Sequence, residues 1–191
     1  DALIEIMQTE FKAEDLNFAK KIADVLLEQF EDQENGGFFF TSHEHEKLIH
    51  RDKPSHDNAL PSGNGVAILA LRRLGVILGS ERYIDASERA LHLFHQRLLE
   101  NPMGHSAMLN ALEVLLVSAR VVIIRGGEYV QALKWRQQLV TSYHPSSLVF
   151  VIPTESPDTS LPEIFKKPAG EKTQAWVCRR GRCSQPYENI D

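Results

Sequence analysis

The chain has 191 residues, a formal net charge of −5 and 42% hydrophobic residues, which fits a globular chain of one or two domains. The acidic balance gives no electrostatic reason to expect nucleic acid or an anionic membrane surface as a partner. No apolar stretch reaches the roughly 18 residues that span a bilayer; the nearest, 107–124, is interrupted by Asn110, Glu113, Ser118 and Arg120.

A helix is predicted over 14–30, because Leu16, Ala19, Ile22, Ala23, Leu26 and Phe30 fall on one face while Glu14, Lys20, Lys21, Asp24 and Glu28 face away. Asn35-Gly36-Gly37 ends it, and Phe38-Phe39-Phe40-Thr41 reads as a short extended segment. A long polar loop, 43–60, follows. The next helix, from Ser62 or Asn64 to Ile77, is apolar nearly all round and is therefore expected inside. Ser80 is placed to cap the helix after it, 81–99, whose single stripe is Tyr83, Ala86, Ala90, Leu91, Phe94 and Leu98. Pro102-Met103-Gly104 then turns the chain into a fourth helix, 105–119, as apolar as the second.

The pattern changes at Arg120. Val121-Val122-Ile123-Ile124, ended by Gly126-Gly127, and 147–152, ended by Pro153, are β-branched runs of buried-strand type. Between them 128–141 has helical periodicity, so a parallel β-α-β unit is expected. A loop over 153–170 leads to a third strand, 173–178, a turn at 179–182 and a tail.

Two segments 41 positions apart are in register: Pro61-Ser62-Gly63-Asn64 and Pro102-Met103-Gly104-His105 each open an apolar run, with Ile68/Leu109, Ala70/Ala111, Leu71/Leu112 and Leu74/Leu115 matched. A period of about 40 residues is that of one helical hairpin. The expected class is α+β, mainly α: hairpin repeats over 1–119, then a small α/β subdomain over 120–191 with a C-terminal cysteine pair. The chain begins at Asp1 without an initiator Met, signal peptide or transit pattern, and is expected to be a piece of a longer protein. Two cysteines are too few for a disulfide scaffold and fit a cytoplasmic, reducing compartment.

The polar loop gathers carboxylates (Glu44, Glu46, Asp57), imidazoles (His43, His45, His50, His56) and cations (Arg51, Lys53) just before an inner helix. One reading is chemistry; the other is a solvated loop in which Asp57 and Ser62 cap the helix. Asn64 and His105 occupy equivalent first turns, where free N–H groups favour an anionic or hydroxyl-rich ligand. They read equally as a cap and a core-edge histidine. His43 and His45 share a face in an extended segment, but a zinc site wants three or four ligands and no cysteine is near, so no metal is expected. Gly126-Gly127 lacks the rest of either nucleotide fingerprint, so no cofactor is expected. Cys178 and Cys183 flank four residues, three of them arginines, a setting that favours thiolate. They do not form the C-x-x-C motif. A structural pair at a turn and redox exchange with a partner thiol both remain open.

Such hairpins resemble the (α/α)6 toroid of six-hairpin glycosidases and N-acylglucosamine 2-epimerases. More specifically, Gly36-Gly37-Phe38-Phe39, His45-Glu46, Leu48-Ile49, Arg51, Lys53, Asp57, Pro61-Ser62-Gly63-Asn64 and Ala175-Trp176-Val177-Cys178 with Cys183 resemble the C-terminal part of the thioredoxin-domain-containing proteins typified by spermatogenesis-associated protein 20. His43 departs from the family's more usual acidic lead-in. The resemblance implies an N-terminal thioredoxin-like domain and further toroid hairpins as partners within the same protein. It also implies that loops entering the inner helices line a funnel that binds or processes a carbohydrate-like ligand. Glu46, Asp57 and His45 are then the candidates for glycoside hydrolase-like or epimerase-like proton transfer. Arg51, Lys53, Ser62, Asn64 and His105 are the candidates for ligand binding. The alternative is a non-catalytic binding or scaffolding region serving the thioredoxin-like domain.

Overall fold

The structure, a computed structural model, describes residues 1–46, 48–156 and 161–189; part of the loop expected over 153–170 lies outside them. The fold is α+β. Among the described residues it has six α-helices, α1 (Ala2–Thr9), α2 (Ala13–Phe30), α3 (Gly63–Leu78), α4 (Glu81–Glu100), α5 (Ser106–Val117) and α6 (Tyr129–Val140), with four strands, β1 (Arg120–Arg125), β2 (Ser147–Val151), β3 (Gln174–Arg179) and β4 (Arg182–Cys183). The chain divides into two compact units. One comprises Asp1, 18–75 and 80–116; the other comprises 2–17, 76–79 and 117–191. The second unit thus takes in N-terminal residues as well as the region expected from 120 onward.

In the first unit α4 behaves as its pattern requires, whereas α3 and α5, expected inside because they are apolar nearly all round, leave Val66 and Leu116 40% and 66% exposed. All six apolar stripe residues of α4 are buried, and Tyr83 donates its hydroxyl to Asp24 Oδ1 at 2.6 Å. Ser80 occupies the N-cap position of α4, but its side chain makes no capping bond. On α2, Ala19, Ala23 and Leu27 are buried, whereas Ile22 lies on an exposed stripe with Phe18 and Val25. The helix therefore has two apolar faces, not the single one expected from its sequence. After α2 the chain turns at Gly36 and Gly37, with φ of +79° and +76°, and returns through a bridge between Glu31 and Phe38. A side chain at Gly36 would put its Cβ 2.7 Å from the Arg89 carbonyl oxygen, so helix α4 can approach only a glycine there.

In the second unit the sheet order is β2-β1-β3-β4. β1 and β2 are parallel, with Val122 opposite Val149; β3 runs antiparallel to β1, with Val122 opposite Val177. The expected parallel pair and third strand are present, and the sheet is mixed. Ala132 and Trp135 of α6 bury one face against Val122, Ile124, Val149, Val151 and Ala175. Phe165 packs edge-on to Phe11 and tilted against Phe150. Helix α1, which the predicted elements do not include, buries Ile4 and Met7. Its Gln8 Oε1 accepts the Val149 N–H at 2.9 Å, supplying a partner to an edge strand that would otherwise present that donor unpaired.

Candidate functional site

The two matched helix starts lie side by side in the first unit. Asp57 joins them. Its Oδ1 accepts the Ser62 N–H and its Oδ2 the Ala107 N–H, both at 2.8 Å, while its own N–H donates to the Gly104 carbonyl at 2.8 Å. One carboxylate therefore caps α3 and α5 together, at the ends where free N–H groups and the helix dipole favour negative charge. Burial by itself would raise the Asp57 pKa, but the N–H groups of Ala107 and Ser62, the Ser62 hydroxyl and the nearby His105 hold it below the usual carboxylate value. Gly65 makes the close approach possible, since a Cβ there would lie 2.9 Å from the Ala107 Cβ.

Ser62 occupies the N-cap of α3, and its hydroxyl accepts the Gly65 N–H at 3.2 Å. Asn64, 2% exposed, clamps the extended segment to the helix. Its Oδ1 accepts the Phe38 N–H at 2.8 Å, and its Nδ2 donates to the carbonyls of Phe38 at 2.9 Å and Pro54 at 2.8 Å. His105 is buried, with Nδ1 2.8 Å from the Asn101 carbonyl and Nε2 3.3 Å from Ser55 Oγ, which also accepts from Arg97 at 3.0 Å. A carbonyl can only accept, so Nδ1 is the donor of that bond.

The two cations hold the preceding turn. Lys53 Nζ donates to Asp32 Oδ2 at 2.6 Å and to the Gly36 carbonyl at 2.7 Å, and lies over the Phe39 ring. Burial alone would raise the Asp32 pKa; Lys53 and the Asn35 amides outweigh it and hold the carboxyl far below its usual value. Arg51 stacks on Phe39, its guanidinium carbon 3.9 Å from the ring centroid, and bonds Thr41 and His43. Glu46 and His45 are exposed, His45 Nδ1 lying 3.4 Å from the carbonyl of Glu46 itself. Asp57, Ser62, Asn64 and His105 are thus brought together, each with its polar atoms engaged by the scaffold; Arg51 and Lys53 brace the Phe39 side, and His45 and Glu46 stand apart.

A cleft of about 510 Å³ opens beside this cluster, lined chiefly by Leu26, Phe38, Phe39, Phe40, His56 and Leu60, with Asn58, Ser62 and Asn64 as its polar edge. The phenylalanine run read from sequence as a plain extended segment forms its aromatic wall. In the second unit Cys178 and Cys183 face each other across β3 and β4 and form a disulfide. Among the described residues no group of three or more His, Cys, Asp or Glu is placed to hold a metal ion, and no helix is long and apolar enough to cross a membrane. No protein-family model matches the chain, and no curated protein matches it.

Proposed function

We propose that this chain is the C-terminal region of a cytoplasmic thioredoxin-domain-containing protein, and that its hairpins belong to a six-hairpin-glycosidase-like toroid binding a carbohydrate-like ligand at the aromatic cleft. The observation that carries the binding reading is the cleft lining. Phe40, 76% exposed, and His56 supply aromatic rings at a lining that is otherwise largely apolar, as a sugar's apolar face requires, and Asn58 adds a polar group. Among the described residues no carboxylate lines the cleft. Glycoside hydrolysis wants two, on the order of 5–10 Å apart, so the geometry favours binding over hydrolysis. Epimerase-like proton transfer would rest on His56, the imidazole in the lining. The toroid reading draws support from the repeat and from the two helix starts that share the Asp57 cap.

A second reading, a scaffolding region for the thioredoxin-like domain and the remaining hairpins, is favoured by one observation. Phe18, Ile22 and Val25, at helical spacing on α2, are 56%, 49% and 52% exposed, a stripe of the kind that another element covers. Glycan-array screening followed by calorimetry with the chain and with Phe40→Ala separates the two. Phe40 is 76% exposed, so its loss spares the core. The binding reading expects a retained glycan and about tenfold weaker binding by the variant. If no glycan is retained, or if Phe40→Ala binds equally well, the cleft reading fails and the scaffolding one stands.

A further inference from the structure

We propose that Cys178–Cys183 is a thiol–disulfide exchange site, with Cys183 the sulfur that meets the partner, Cys178 the resolving sulfur and Lys167 the cation that stabilises the Cys183 thiolate. This inference is independent of the cleft and of any sugar.

Three observations carry it. The two sulfurs differ sharply in access: Cys178 is 1% exposed, packed in the sheet opposite Val121, whereas Cys183 is exposed on the two-residue strand β4. An external thiolate therefore meets Cys183 before Cys178. Next, Lys167 Nζ lies 3.1 Å from Cys183 Sγ. Its two neighbouring cations are already matched, Lys166 with Glu163 and Lys172 with Glu188, while Lys167 has no carboxylate partner among the described residues. Burial pushes its pKa down, the sign of an ammonium that lacks a counter-ion and gains one when a thiolate forms beside it. Finally, Arg179, Arg180 and Arg182 around the turn are all exposed, adding positive potential where an incoming thiolate must approach.

The exchange balances without a metal or cofactor. A thiolate of a partner dithiol attacks Cys183 Sγ; the S–S bond breaks, its electron pair goes to Cys178 Sγ, and that sulfur takes a proton. The second thiolate of the partner then attacks the partner's own sulfur in the mixed disulfide, expelling Cys183 as a thiolate beside Lys167. The chain gains two electrons as a dithiol, and the partner becomes a disulfide. In reverse, the exposed Cys183 thiolate is the attacking nucleophile and Cys178 closes the bond. A compartment whose thiols are kept reduced would make this bond a transient, working one.

The test uses the chain with its disulfide first opened by thioredoxin under native conditions. Iodoacetamide alkylation is followed by mass spectrometry across pH. Cys183 should label far faster than Cys178, with an inflection below the usual cysteine value of about 8.5. Lys167→Met should move that inflection up and slow labelling at neutral pH by about tenfold, and Lys167→Arg should restore it; circular dichroism confirms that the variants are folded. The disulfide-intact chain should be captured by a thioredoxin variant lacking its resolving cysteine as a mixed disulfide through Cys183, with Cys178 released as the thiol. The proposal is overturned if thioredoxin opens the bond only after urea unfolds the chain, or if Cys183 titrates at its ordinary value with no response to Lys167→Met.

Discussion

Removing the Asp57 carboxylate should loosen two helices at once. The Ser62 and Ala107 N–H groups both end on it at 2.8 Å. A lost N-cap costs about 1 kcal/mol and the helix-dipole contribution of an anion about 0.3–1 kcal/mol. Counted for two helix ends and allowing for incomplete additivity, Asp57→Ala should destabilise by about 2–4 kcal/mol. Asp57→Asn keeps one acceptor but turns an amide N–H toward the other donor, and should cost about half as much. The pH dependence follows from the lowered Asp57 pKa. Between the folded value and the unfolded one, about 3.9, the unfolded chain binds more protons. The carboxylate's contribution is therefore complete above the unfolded value and is lost as pH falls through the folded one. Urea unfolding followed by circular dichroism, with amide exchange at the first turns of α3 and α5, reads both effects. A loss under about 0.5 kcal/mol for Asp57→Ala, or faster exchange at only one of the two helix starts, would refute the shared cap.

Asn64→Leu should cost about 3 kcal/mol in the same unfolding assay, because it strands the N–H and carbonyl of Phe38 and the carbonyl of Pro54; Asn64→Asp should be worse, as it aims a carboxylate at two carbonyl oxygens. Lys53→Met should shift acid unfolding to higher pH, since the strongly lowered Asp32 pKa makes its contribution one that is present above about pH 4 and lost on acidification; an unchanged acid midpoint counts against the pair. Gly65→Ala brings a methyl to within 2.9 Å of the Ala107 Cβ and should cost about 1–3 kcal/mol, measurable as a lowered urea midpoint. Serines at Phe18, Ile22 and Val25 should leave stability within about 0.5 kcal/mol per site while abolishing any concentration-dependent sedimentation of the chain.

What the sequence disclosed follows the range of the forces involved. The stripe of α4 and the β-branched runs of β1 and β2 are local patterns that burial enforces, and they can be read directly. Helix α1 is harder to read, because eight residues carry only two buried positions, Ile4 and Met7, and one bond that seats it joins Gln8 to Val149, 141 positions away. Ile22 was assigned to the wrong face since α2 carries enough apolar residues for two stripes, and only tertiary packing chooses between them. At the site, the repeat places Asn64 and His105 at equivalent helix starts, and Asp57 and Ser62 make the helix-capping bonds that were one of their two readings. Only chain proximity groups His45 and Glu46 with them. Lys167 was invisible for the opposite reason: it sits 16 positions before Cys183 in a loop with no pattern of its own.

The polar loop illustrates a competition between holding a fold and facing a ligand. A loop that leads into two packed helix starts must supply partners for their free N–H groups, and the side chains nearest those groups are the ones a ligand would also want. Here Asp57, Ser62 and Asn64 are committed to N–H groups and carbonyls of the scaffold, and His105 to Asn101 and Ser55. Their bonds fix the cleft wall, so substitutions among them change recognition through shape. On the proposed binding reading, direct recognition falls to side chains that the scaffold does not engage, Phe40 and Asn58 with the ring of His56. The two classes separate experimentally: rim variants should weaken ligand binding at unchanged stability, whereas variants of the Asp57–Asn64 cluster should lower stability first and binding only as a consequence. Binding lost at full stability on changing Asn64 would put the reactive face of the loop where the sequence first suggested it, and would reverse this assignment.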